Sequence, residues 1–148
     1  MNLYEDIVKM NVITHPYSLL MIRNEAAKFL LRYDDRWDCW LLPYYKTTSD
    51  DVEHLRQCLV NDLSFVAERI ERKERKIHEK YSPSNDVNKV YDHTFYYAQG
   101  SLHPCHQKEE FVLGGIKYKW FSITDMLNDQ NIMRYNSDVV SVLQTLLF

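Results

Sequence analysis

The chain has 148 residues, 45% of them hydrophobic and 14% aromatic, which is enough for one good core and too little for two ordinary domains. A formal charge of −3 gives no overall pull toward nucleic acid or an anionic membrane, and neither partner is expected. Three scattered cysteines, Cys39, Cys58 and Cys105, no run of roughly 18 apolar residues and no basic-then-apolar start in MNLYEDIVKM point to a cytoplasmic protein.

Residues 1–12 carry Leu3, Ile7 and Val8 on one face at helical spacing, which predicts a short amphipathic helix. Pro16 punctuates the next stretch, and Tyr17 to Ile22 is apolar enough for a strand, although periodicity alone does not separate strand from helix there. Ala27 to Tyr33 is β-prone, Asp34-Asp35-Arg36 reads as a hairpin turn, and Trp37 to Leu42 is a second strand ended by Pro43. Ser49 with Asp50 and Asp51 reads as the cap and acidic first turn of a helix, because side-chain oxygens and negative charge satisfy its free amides and dipole.

From Leu55 the apolar positions Leu59, Leu63, Val66, Ile70 and Ile77 recur at steps of three, four or seven. The stripe predicts a charged helix running toward Tyr81, either continuous with the first or following a break near Asp62 to Ser64. Its Glu and Arg residues sit at i,i+4 spacing and compensate one another. Ser82 to Asp86 is a loop, Thr94 to Ala98 a central strand, and Gln99 to Lys108 a second loop. Glu109 to Val112, a Gly114-Gly115 turn and Ile116 to Phe121 form a hairpin. Thr124 to Leu127 opens a short helix, and Asp138 to Leu147 is a last amphipathic one with Val139, Val142, Leu143 and Leu146 on one side. The expectation is an α/β domain with a mixed sheet. No glycine precedes Gly100, so a P-loop and a dinucleotide fingerprint are excluded.

Three segments resemble the Nudix superfamily: LLRYDDRWDCWLLP, its hairpin ending W-x-x-P; HTFYYAQG, its central strand; and EEFVLGGIKYKWFSITDML, its late strand and helix. The resemblance implies a Nudix-like α/β/α sandwich as one domain over 1–148. In that reading 1–25 is an N-terminal helix and strand extension, 26–128 the core with a long charged helix after the box region, and 129–148 the C-terminal helix. The family's box, G-x5-E-x7-R-E-U-x-E-E-x-G-U, gathers glutamates that hold Mg²⁺ or Mn²⁺ on a pyrophosphate. With Leu59 and Leu63 on its aliphatic positions, Gln57 and Cys58 fall on Arg-Glu, Asn61 and Asp62 on Glu-Glu, and Ser64 on the glycine. Tyr44 and Tyr45 replace the Gly-Gly after the proline. In the ungapped register Asp51 takes the first glutamate and the others are lost, so one box carboxylate survives either way.

The resemblance therefore implies a catalytically degenerate domain that binds a nucleotide-type ligand or a protein, without a cofactor. Its expected cleft is lined by Tyr44, Tyr45, Asp62, Glu109 and Trp120. The first alternative is a metal-dependent pyrophosphohydrolase using Mg²⁺ or Mn²⁺ on relocated carboxylates, Asp62, Glu109 and Glu110. The second is a homodimer or protein-binding subunit joined along the helix Leu63–Ile77. His103-Pro104-Cys105-His106 offers imidazole and thiolate to zinc but at most three ligands in one tight loop. Cys58 reads as a core thiol.

Overall fold

The computed structural model describes residues 13–148; the helix expected over 1–12 lies outside them. Among the described residues, eight strands form two four-stranded sheets. The first has the order β4 (Tyr44–Lys46), β1 (Thr14–Met21), β6 (Val87–Gln99), β5 (Arg69–Ser82), and the second β3 (Cys39–Leu41), β2 (Phe29–Asp34), β8 (Ile116–Phe121), β7 (Glu110–Leu113). Of these neighbours only β1 and β6 run parallel; every other pair is antiparallel. Helix α1 (Asp51–Leu63) covers one face of this layer, α2 (Ile123–Leu127) follows β8, and α3 (Gln130–Thr145) covers the opposite face.

The two-residue period of the strands sorts the core. Leu19, Met21, Phe29, Leu31, Phe95 and Phe121 point toward α3, whose Ile132, Val139, Val140 and Leu143 meet them. Leu20, Ile22, Leu30, Tyr96, Ala98, Tyr118 and Trp120 point toward Leu55, Leu59 and Leu63 of α1. Burying each of those leucines stabilises the fold by about 1.5–3 kcal/mol. The sequence reading set β1 outside the core, as an extension. It is in fact an inner strand, because Leu19 to Met21 supply apolar groups to both faces.

Helix α1 starts later than its composition suggested. Asp50, not Ser49, is the N-cap, and it makes no side-chain capping bond. Asp51 does the anchoring: its carboxylate accepts from Thr48 N (3.0 Å) and from the buried Ser18 hydroxyl (2.5 Å). At the other end Ser64 adopts the left-handed conformation, φ 51°, with Ser64 N donating to Val60 O and Phe65 N to Leu59 O. This is the Schellman closure of a helix, and Phe65 packs with Leu59 in the same cluster.

The long charged helix does not exist. Residues 69–82 are β5, an edge strand of 14 residues paired with β6 along its length. Both of its faces carry charge because it lies at the open side of the sheet, where alternating charged side chains also discourage pairing with another chain. A bulge between Arg72 and Glu74 restores Ile70 and Ile77 to one face, opposite Ala98 and Asp92. Ile70 and Ile77, expected on one side of a helix, therefore share one side of a strand, and the Leu63–Ile77 segment is not a helix. The last helix begins at Gln130 rather than Asp138, its Asp129 cap accepting from Ile132 N at 3.0 Å, and it is interrupted at Asn136 (φ −140°, ψ 23°).

The His103–His106 loop is a structural pin. Pro104–His106 form a turn of 3₁₀ helix, and the His106 ring is buried with Nε2–H donating to Leu63 O (2.7 Å) and Nδ1 accepting from His103 N (3.1 Å). Trp120 Nε1 donates to His106 O at 2.7 Å. His106→Ala strips two backbone groups, one of them the buried Leu63 carbonyl, of their partner, and urea unfolding is expected to register a loss of about 2 kcal/mol. A change below about 0.5 kcal/mol would mean that the loop is held by something else.

Candidate functional site

A cavity of about 90 Å³ opens on the α3 side, between the two sheets. Its walls are aromatic: Tyr17 from β1, Trp37 from the β2–β3 turn, Tyr44 from β4 and Tyr91 from β6. Tyr17 stands edge-on to Tyr44 with centroids 5.5 Å apart, and Trp37 edge-on to Tyr91 at 6.1 Å. Period-two alternation explains the collection, since Tyr91, His93, Phe95 and Tyr97 all project from one face of β6. The exposed Arg36, Ser84 and Asn85 surround the mouth.

The floor is polar and largely buried. Lys80, at the end of β5, donates to Asn136 Oδ1 (2.7 Å) and to both oxygens of Asp138 (3.1 and 3.2 Å). Its ammonium also lies 5.4 Å from the centroids of Trp37 and Tyr91. Burial pushes the Lys80 pKa down, against the upward pull of Asp138. His93 is 6% exposed, and its Nδ1 is buried without a hydrogen-bond partner, 3.9 Å from Asp138 Oδ2. Burial, reinforced by Lys80, lowers its pKa to about 3, so the ring is neutral at physiological pH. The irregularity of α3 at Asn136 carries that side chain to the same floor. At the mouth Tyr44 Oη donates to Asp34 (2.6 Å) and accepts from Arg36 (3.1 Å); burial and the Asp34 carboxylate push the hydroxyl up to about 12.

The residues expected to share one cleft are distributed over the molecule. Tyr44 lines the cavity, but Tyr45, the next residue of a strand, points to the α1 side, where its hydroxyl donates to Asp62 Oδ2 at 2.5 Å. Arg32 lies 5.4 Å from both tyrosine centroids, donates to Tyr44 O (3.2 Å) and stands 4.0 Å from Asp62. Trp120 is sealed in the α1-side core. Glu109 pairs on the surface with Lys28 at 3.2 Å, and Glu110 is exposed on β7. Asp62 therefore has neither glutamate as a neighbour in its network. Cys58 is half-buried rather than a core thiol, with Sγ 3.6 Å from Nε2 of His54 one turn back, and burial raises its pKa. Among the described residues no three His, Cys, Asp or Glu side chains converge to hold a metal ion. None of the helices in that part of the chain is long and apolar enough to cross a membrane.

Sequence reasoning did not find Tyr17, Trp37, Lys80, Tyr91, His93 or Asn136. One available signal was the alternation of Tyr91, His93, Phe95 and Tyr97, which places an imidazole on an aromatic strand face. Lys80 was hidden by its assignment to a solvated helix.

Solved structures share this arrangement of sheets and helices. The MutT protein of Methanosarcina mazei Go1 superposes with a TM-score of 0.61 at 17% identity, over 90% of this chain and 94% of that one. A MutT NUDIX hydrolase from Burkholderia pseudomallei gives 0.58 at 17% identity, over 90% and 99%. The chain has the Nudix fold. A C. elegans Ap4A hydrolase also matches, with a TM-score of 0.54 at 16% identity over 89% and 95%. Identities this low carry the Nudix fold and no particular chemistry. No model of a known protein family matches the sequence, and no curated protein does. Within the Nudix fold of this chain, α1 follows the segment Trp40 to Pro43 as the box helix was expected to, and it presents Gln57, Cys58, Asn61 and Asp62.

Proposed function

We propose that this Nudix-fold chain is a catalytically degenerate module that binds a nucleotide-type ligand without a metal cofactor. The observation that carries the reading is the cavity itself: four aromatic walls over a polar floor of Lys80, His93 and Asn136. Flat heterocycles stack on such walls, and their ring edges satisfy buried polar groups. The dispersal of Asp62, Glu109 and Glu110 supports the absence of hydrolysis, because Mg²⁺ requires several oxygens at one point. The name of the C. elegans relative, an Ap4A hydrolase, supports a nucleotide as the ligand class.

Titration of ribonucleotides in EDTA, followed by Trp37 fluorescence and calorimetry, tests this. Binding is expected to be equal with and without Mg²⁺, with no phosphate released. Tyr17→Leu is expected to weaken it about 5- to 100-fold, the contribution of one stacking partner. Mg²⁺-dependent turnover would replace the binding module with a hydrolase.

A further inference from the structure

We propose that the ligand's anionic group is held at the outer rim of the cavity, by Lys89 and Arg36 beside the β5–β6 turn, and not at helix α1. This deepens the reading of the cavity as a nucleotide-type site and rests on it.

The argument is one of charge and of which charges are already used. Three cations line the cavity: Lys80, Arg36 and Lys89. Lys80 is deep, and its donors are taken by Asn136 and Asp138. A phosphate there would have to lose its water and approach Asp138. Lys89 is different. Its ammonium reaches only the neutral amide oxygen of Asn85, at 2.5 Å, with no carboxylate in ion-pair range among the described residues. Arg36 is exposed, 3.8 Å from Asp34, and turns one guanidinium nitrogen to the Tyr44 hydroxyl at the mouth. Ser84 and Asn85 complete that rim with neutral polar groups.

Helix α1 offers the reverse. Its first turn carries Asp51 and Glu53, and its last turn carries Asp62 and no basic residue. Arg32, the cation nearest Asp62, is bonded to the Tyr44 carbonyl and flanked by both tyrosine rings. Carboxylates face phosphates favourably only through a bound cation, and without one they repel. The metal-free site therefore puts the ring among the four aromatics, its edge toward His93 and Asn136, and its phosphate outward toward the hairpin.

The test compares the four common ribonucleosides with their 5′-monophosphates, in EDTA, against the full chain. The best-bound base is expected to gain at least tenfold in affinity from its phosphate, with the gain shrinking as salt rises. Lys89→Ala and Arg36→Ala are expected to cut that gain to about threefold or less, and Lys89→Arg to retain it. Asp62→Asn is expected to leave the ratio unchanged. Equal affinity for nucleoside and monophosphate, or a gain insensitive to Lys89 and Arg36, overturns the assignment of the rim alone. Failure of both compound classes to bind overturns the cavity reading and this one with it.

Discussion

Lys80→Met is expected to cost about 3–5 kcal/mol in urea unfolding, because it leaves Asp138 buried without its cation. Both side chains of the pair are nearly sealed, 13% and 14% exposed. Burial outweighs Asp138 in setting the Lys80 pKa, which ends below its ordinary value. The pair as a whole therefore contributes little stability, whereas half of it is strongly destabilising. The double variant Lys80→Met/Asp138→Leu is accordingly expected to recover most of the loss. A single variant within about 1 kcal/mol of the parent would mean that Asp138 reaches water once Lys80 is gone. In the recovered double variant the cavity floor has lost its polar anchor to Asn136, so ligand affinity is expected to fall although stability returns.

Acid is expected to weaken the fold through His93 before the carboxylates titrate. The folded-state pKa of about 3 lies below the ordinary 6.5. Between those values the unfolded chain binds a proton that the folded chain refuses, so stability is complete above pH 6.5 and is lost as pH falls toward 3. One group contributes a slope of at most about 1.4 kcal/mol per pH unit. Lys80 and His78 face the ring and disfavour its charge, and Asp138 and Asp92 favour it without prevailing. His78 and His15 are lowered as well, so they add to the slope in the same direction. His93→Leu is therefore compared directly with the parent between about pH 6.5 and 5. It is expected to flatten the limb there, and an unchanged slope would locate the acid sensitivity in the other two histidines.

The hairpin β2–β3, helix α1, strand β8 and the turn at Gly114-Gly115 were legible because local chemistry decides them: a proline, an acidic first turn, β-branched and aromatic runs, and glycines at φ 56° and 78°. Strand β5 was not legible. RIERKERKIHEK is built from residues that favour helix, and the bulge after Arg72 placed its two isoleucines seven apart on one face. Pairing with β6 overrode the local preference. The cavity was partly legible through Tyr44. Tyr44 and Tyr45 part company for a geometric reason: neighbours along a strand face opposite sides, so the two never share a cleft. Lys80, His93 and Asn136 come from three elements whose meeting depends on the register of β5 on β6 and the break in α3, neither of which is written locally.

The parallel pairing of β1 with β6 joins Thr14 to Val90 and Met21 to Tyr97, and this sets a timetable for folding. Strand β6 can first close on β5, its neighbour in sequence, through the short turn after Ser82. Strand β1 has to wait with Leu19, Leu20 and Met21 exposed until most of the chain has been made and the intervening loop has closed. Any chain in which β1 has not yet met β6 therefore presents an apolar strand without its central partner, the arrangement most exposed to self-association.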